Sequence, residues 1–193
     1  IQSQVDDIIC EEAFININFN NNNYKFEKLI ICAGAWSNNL SKKIGENFPL
    51  DTERGYHVMF DNHGLINRPI GWSQSGFYLV QLEEGLRAAG TVEIAGLTKP
   101  ANKKRTQMIE NQARKLLPKL KDVKSTWLGF RPTLPDSLPV IGPSKINKNI
   151  IYGFGHQHIG WTLGAVTGKL INSICNDRVP NINIEPFSAS RFN

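Results

Sequence analysis

A mixed α/β fold is predicted, with one layer of α/β character interrupted by an inserted antiparallel sheet, and three observations predict it. Residues 29–32, Leu-Ile-Ile-Cys, form a continuous apolar run, the pattern of a strand covered on both faces. Residues 49–98 instead alternate in short stretches broken by turn residues, which reads as antiparallel sheet. A second apolar strand at 149–154 then runs through glycines into a helical pattern, so α/β character returns after the insertion.

The elements follow in order. Strands are expected at 5–10, 13–19, 24–27 and 28–33. The asparagine run from Asn18 to Asn23 forms a hairpin tip, because asparagine tolerates the left-handed backbone of a tight turn. The inserted sheet comprises 52–60, 76–82 and 86–93. In the first of these, Tyr56 and His57 alternate and so point to opposite faces. A helix is expected over 103–117, with Met108, Ile109, Gln112 and Leu116 on its inner face. Strand 123–131, a turn-rich 132–139 and strand 149–154 lead to a final helix ending near Cys175. Leu163, Val166, Leu170 and Ile174 form its apolar stripe, and Gly164, Ala165 and Gly168 allow close packing. The domains are therefore discontinuous: 1–48 and 123–193 belong to one layer, 49–122 to the insertion.

Composition narrows the function. The 193 residues are 40% hydrophobic and carry a formal net charge of +5. The basic residues are scattered except at Lys103, Lys104 and Arg105, and no basic stripe is interleaved with aromatics, which argues against a nucleic-acid module. That cluster reads as a solvated helix face and leaves contact with an anionic membrane surface open. The three cysteines are far apart and lack metal-site spacing, which suggests a reducing compartment and no metal. No apolar stretch reaches the roughly 20 residues of a bilayer span. An opening Ile1-Gln2-Ser3 without methionine suggests a chain that starts inside a longer one.

Two places carry chemistry. The turn Gly155-His156-Gln157-His158-Ile159-Gly160-Trp161-Thr162 feeds a helix N-terminus, whose N–H groups and dipole favour a phosphate or a carbonyl gaining negative charge. Ala33-Gly34-Ala35 ends the apolar strand with small residues that admit close approach of a ligand or simply a tight turn. In Trp127-Leu128-Gly129-Phe130-Arg131-Pro132, a lone arginine closes an apolar strand. Its fork suits a carboxylate ligand, or a structural ion pair with Asp136. His156 and His158 lack a carboxylate or cysteine at ligand spacing, and no Gly-x-Ser-x-Gly elbow occurs.

Ile30 to Ser37, Glu53-Arg54-Gly55-Tyr56-His57, Gly129 to Gly142 and Gly155 to Thr162, in that order, resemble the D-amino acid oxidase (DAO) family of FAD-dependent oxidoreductases. The resemblance is to bacterial D-amino acid dehydrogenases, with glycine and sarcosine oxidases as relatives. It implies the C-terminal part of a Rossmann-like FAD-binding domain with an inserted antiparallel-sheet substrate domain. It further implies oxidative deamination of a D-amino acid or related amine, with hydride passing from the α-carbon to flavin N5. Arg131 would bind the substrate carboxylate and Tyr56 would line the pocket. Gly155, His156, Gly160, Trp161 and Thr162 would meet the flavin, with Ala33, Gly34 and Ala35 on its ADP side. The implied partners are an amino acid substrate, quinone or oxygen as electron acceptor, and a missing N-terminal half of the same enzyme. The implied place is the cytoplasm, peripheral on the inner membrane. A non-catalytic assembly subunit of the same fold is the alternative. Two departures stand out: Gln157 occupies a position where the family usually has glycine, and no Gly-x-Gly-x-x-Gly follows an opening strand.

Overall fold

The computed structural model describes residues 3–192. The chain forms two compact units, one from 1–51 with 131–193 and the other from 52–130.

The first unit contains two small sheets and a covering helix. β1 (Asp7–Cys10), β2 (Ile15–Phe19) and β3 (Asn22–Phe26) form an antiparallel meander. Its β2–β3 turn places Asn20 at φ +51° and Asn21 at φ +59°, the two left-handed residues a two-residue hairpin needs. The second sheet has the order β10–β11–β4, built from β10 (Val140–Pro143), β11 (Ile150–Phe154) and β4 (Leu29–Ile31). β4 runs parallel to β11, and β10 antiparallel to it. Alternation sends Ile31, Val140, Ile150, Tyr152 and Phe154 into a core shared with Ile8, Ile15 and Ile17 of the meander. Ile141 and Ile151 face the other way, against Leu170 and Ile171 of helix α3 (Gly160–Cys175).

After β4, a short helix α1 (Ser37–Ser41) leads to buried Glu46. This carboxylate accepts hydrogen bonds from the hydroxyls of Ser144 and Tyr152 and, at 3.1 Å, from the Lys145 N–H, tying the loop to the end of β10 and the middle of β11. Burial, and then the Glu46 carboxylate, push the Tyr152 phenol far up, so it remains a donor.

The second unit is a five-stranded sheet of order β6–β7–β8–β5–β9 with one helix. Its strands are β5 (Asp51–Phe60), β6 (Ile70–Trp72), β7 (Phe77–Leu82), β8 (Gly85–Ile94) and β9 (Val123–Thr133). Helix α2 (Lys103–Leu116) is capped by Asn102, whose side chain accepts from the Lys104 N–H. Tyr56, Val58, Phe60, Leu79, Leu86 and Ala88 pack with Ile109 and Ala113 of this helix.

Three expectations are corrected here. The boundary expected at 122/123 moves to 130/131, because Val123 opens a strand of the five-stranded sheet. The inner face of α2 holds Ile109 and partly buried Leu116 as expected, with Ala113 added, while Met108 is exposed. The buried face of α3 carries Thr167, Leu170 and Ile171 rather than Val166. Two short strands, β6 and β10, were not expected.

Candidate functional site

In the first unit, a cleft of about 590 Å³ opens where β11 turns into α3. Cys32 and Gly34 at the end of β4 line it, with Pro132 from β9, the turn Gly153 to His158, and Gly160, Trp161, Gly164 and Ala165 of α3. Backbone geometry shapes it. Gly155 has φ +89°, a left-handed backbone that strains any side chain, and a Cβ there would stand 2.6 Å from Leu134 Cδ1, so the position favours glycine. Gln157 also takes a left-handed backbone, at φ +52°, although it bears a side chain. Its N–H donates to the Pro132 carbonyl at 2.9 Å, which fixes the turn on the end of β9. The departure from the family's glycine at this position thus leaves the left-handed turn in place.

The walls are open where side chains would otherwise stand. A side chain at Gly34, which has φ +55°, or at Gly164 would have its Cβ more than 4 Å from any neighbour. At the head of α3 the N-cap residue Ile159 offers no side-chain hydrogen bond, and the first turn holds no acidic residue. The first-turn N–H groups of Gly160, Trp161 and Thr162 have no partner within the helix, so an anionic or electron-rich group would find both donors and the positive end of the dipole. His156, half-buried on the same wall, shares a hydrogen bond of 2.9 Å with Thr167, and burial lowers its pKa, favouring the neutral ring.

Of the residues expected at the cofactor, Gly34, Gly155, His156, Gly160 and Trp161 line this cleft. Ala33, Ala35 and Thr162 do not: Ala33 accepts the Trp36 N–H in the turn, Ala35 is buried, and Thr162 is exposed beside the cleft wall. Cys32, Gln157, His158, Gly164 and Ala165 line it as well. Among them Gly164 and Ala165 are packing residues by sequence pattern, and their place one turn below Gly160 is the signal for the cleft.

Arg131 leaves β9 just before Pro132, and its Nη1 is buried without a hydrogen-bond partner. The ion pair weighed for it is taken elsewhere. Asp136 binds Arg191, with Nε to Oδ2 at 2.6 Å, and although burial raises the Asp136 pKa, Arg191 and the Leu138 N–H bring it below its ordinary value. Arg131 therefore presents a desolvated guanidinium nitrogen that a planar anion would satisfy.

Tyr56 sits differently. It is 2% exposed, donates to Glu93 at 2.5 Å, and accepts from the Asn102 N–H at 3.1 Å and Arg54 Nη2 at 3.3 Å. One donor and two acceptors are the whole capacity of a phenol, so nothing remains for a substrate. The expected pocket-lining role of Tyr56 is corrected to a buried structural one. On the opposite face His57 stacks on Trp127, ring centroids 5.1 Å apart, and burial followed by Arg87 lowers its pKa. Among the described residues no cluster could hold a metal ion, and no helix is long and apolar enough to cross a membrane.

The chain is 41% identical over 169 residues to a D-amino-acid oxidase of Bradyrhizobium diazoefficiens, a match covering 84% of the chain and 40% of that protein. It is 31% identical to a D-amino acid dehydrogenase of Paramagnetospirillum magneticum, over 86% of the chain and 40% of the relative. The fold matches glycine oxidase from Geobacillus kaustophilus with a TM-score of 0.87 at 21% identity, over 99% of the chain and 52% of that structure. The chain thus spans about two fifths of these curated relatives. Residues 3–174 match the profile of a family whose cofactor is FAD, and the chain belongs to that family, the FAD dependent oxidoreductases (DAO).

Proposed function

We propose that this chain supplies the flavin-facing and carboxylate-binding part of an enzyme that oxidises a D-amino acid or related amine with FAD. The cleft at the head of α3 carries the reading. Its uncapped first turn and the open space beside Gly34 and Gly164 fit a large, flat, electron-rich group. When bound, FAD supplies the acceptor for a hydride leaving the substrate α-carbon, at flavin N5. The N–H groups of Gly160 to Thr162 hold negative charge that develops at the head of the helix. Arg131 grips the substrate carboxylate and so fixes the α-carbon, and a neutral His156 contributes shape and a hydrogen bond without adding charge. The relatives named above, an oxidase and a dehydrogenase, support redox chemistry and do not favour a non-catalytic assembly subunit. They also leave the electrons two exits, oxygen or a membrane quinone.

The test is the visible spectrum of the chain co-expressed with the portion of the family fold it does not contain, followed by anaerobic D- and L-amino acids. Flavin bands that bleach with a D-amino acid support the reading, and a protein that stays colourless with added FAD ends it. Arg131→Ala should raise KM roughly 10²-fold, the loss expected when a desolvated charge pair of about 3 kcal/mol is removed.

A further inference from the structure

We infer that Thr167 is a positioning residue of the cleft at the head of α3: its hydroxyl donates to His156 Nε2 and so holds the ring proton on Nδ1, as a donor to an acceptor atom of the cofactor. The link to a cofactor rests on the family reading above; the place of the proton does not.

Thr167 is 7% exposed, on the buried face of α3 with Leu170 and Ile171. Its methyl packs toward β11, 3.6 Å from where a Cβ on Gly153 would stand. Valine would fill that space equally well, and a hydroxyl taken out of water costs free energy unless it is hydrogen-bonded. A hydroxyl inside a helix can turn back to the carbonyl one turn earlier, as Ser173 does on the same helix with the Lys169 carbonyl at 3.2 Å. Thr167 does not: among the described residues its hydroxyl has one partner, His156 Nε2 at 2.9 Å. A β-branched side chain held by its methyl on one side and its hydroxyl on the other keeps one rotamer, so Oγ1 is a fixed point for the ring.

The count of hydrogens selects the tautomer. Burial lowers the His156 pKa, so the ring is neutral and carries a single N–H. With that hydrogen on Nε2, it would point at Oγ1, and the Thr167 hydroxyl hydrogen would be buried without an acceptor, a costly arrangement. With the hydrogen on Nδ1, Nε2 accepts from Oγ1 and both groups of the pair are answered. Nδ1 then carries the free donor. It has no partner among the described residues and is not closed off from solvent, and His156 lines the cleft, so this N–H is open to a ligand.

The head of the helix has the same polarity. The first-turn N–H groups of Gly160, Trp161 and Thr162 are donors without partners in the helix. A proton on Nε2 would set a lone pair beside them, whereas a proton on Nδ1 adds one more donor to a wall suited to an oxygen or nitrogen acceptor. Thr167 is not itself part of the cleft wall, so it acts through His156.

The experiment is nitrogen NMR of the histidine-labelled chain above the pH at which the ring titrates, with the His156 signals assigned by their loss in His156→Gln. Expected in wild type are a protonated Nδ1 and a bare Nε2. In Thr167→Val the Nε2–H form becomes populated, and in Thr167→Ser the wild-type pattern returns, because serine keeps the hydroxyl. A hydroxyl that served packing alone would lower Tm in Thr167→Val without moving the proton. The proposal is overturned if wild type carries its proton on Nε2, if Thr167→Val keeps it on Nδ1 alone, or if Thr167→Ser behaves as Thr167→Val does. Co-expressed with the portion of the family fold it does not contain, Thr167→Val should bind FAD about 5- to 10-fold more weakly than wild type, the loss of one hydrogen bond, and Thr167→Ser should recover the affinity. Equal FAD affinity in wild type and Thr167→Val overturns the role toward the cofactor. A wild-type complex that stays colourless with added FAD, while Nδ1–H is seen and responds to Thr167→Val, ends the flavin reading and leaves the hold of Thr167 on His156 in place.

Discussion

The cluster around Glu93 and the region from Arg131 to the head of α3 each leave buried guanidinium nitrogens without a hydrogen bond, Arg54 Nε and Nη1 and Arg105 Nε in the first and Arg131 Nη1 in the second, but among the described residues only the first pairs its arginines with a carboxylate. Glu93 accepts from Tyr56 and Asn102 and lies within 3.6 Å of both Arg54 and Arg105. Arg54 Nη2 also donates to the Pro100 carbonyl at 2.9 Å. Arg131 has a buried Nη1 with no partner, and α3 begins without a cap. A charge balanced by a counter-charge in its own cluster stabilises the fold, and one without such a partner marks where an anionic ligand would stand.

Removing an arginine should therefore have opposite consequences in the two places. Arg54, 0% exposed, is the larger loss to stability: Arg54→Ala should cost about 3–5 kcal/mol in denaturant unfolding, because it leaves a carboxylate short of its counter-charge and a hole in the packing. Arg131→Met should leave stability unchanged or slightly higher, since it removes an unanswered nitrogen, while KM for an amino acid rises. A stability loss at Arg131 as large as at Arg54 would collapse the distinction.

Tyr56 sharpens it further. Tyr56→Phe removes the donor to Glu93 and the acceptor for the Asn102 N–H, and should cost about 1–3 kcal/mol with kcat and KM little changed. It should also alter acid unfolding. The Tyr56 hydrogen bond, helped by Asn102, Arg54 and Arg105 against the effect of burial, holds the Glu93 pKa below its ordinary 4.5. A carboxylate with a depressed folded-state pKa stabilises above that ordinary value and loses its contribution as pH falls through the folded one. In Tyr56→Phe the folded pKa moves up, so the window of loss narrows and less stability remains to be titrated away below pH 4.5. A circular-dichroism titration of both proteins reads this directly.

Much of this arrangement was legible in residue order, where local pattern and tertiary context agreed. The apolar runs of β4 and β11 and the glycines before α3 announced a parallel layer ending at a helix head. Alternation correctly set Tyr56 and His57 on opposite faces. What could not be read depended on residues far apart in the chain. Tyr56 finds Glu93 37 positions away, and no spacing rule in the sequence connects a residue of β5 to that partner on the neighbouring strand β8. Thr167 replaces Val166 on the buried side of α3, where its hydroxyl meets His156. β6 and β10, three and four residues long and carrying glycine or proline, are strands only because neighbours supply their ladders.

Gln157 provides the smallest and most local test of the cleft. Its φ of +52° is one that glycine adopts freely and a side chain resists by about 1–2 kcal/mol. Glycine would also widen the unfolded ensemble, offsetting roughly 0.4–1 kcal/mol of that relief. Gln157→Gly should therefore raise stability by about 0.5–1 kcal/mol, a small increase in Tm. The Gln157 N–H bond to the Pro132 carbonyl should persist, because it needs only the backbone. If the variant melts lower, the side chain itself holds the turn, and the cleft wall is built by Gln157 rather than by the backbone around it.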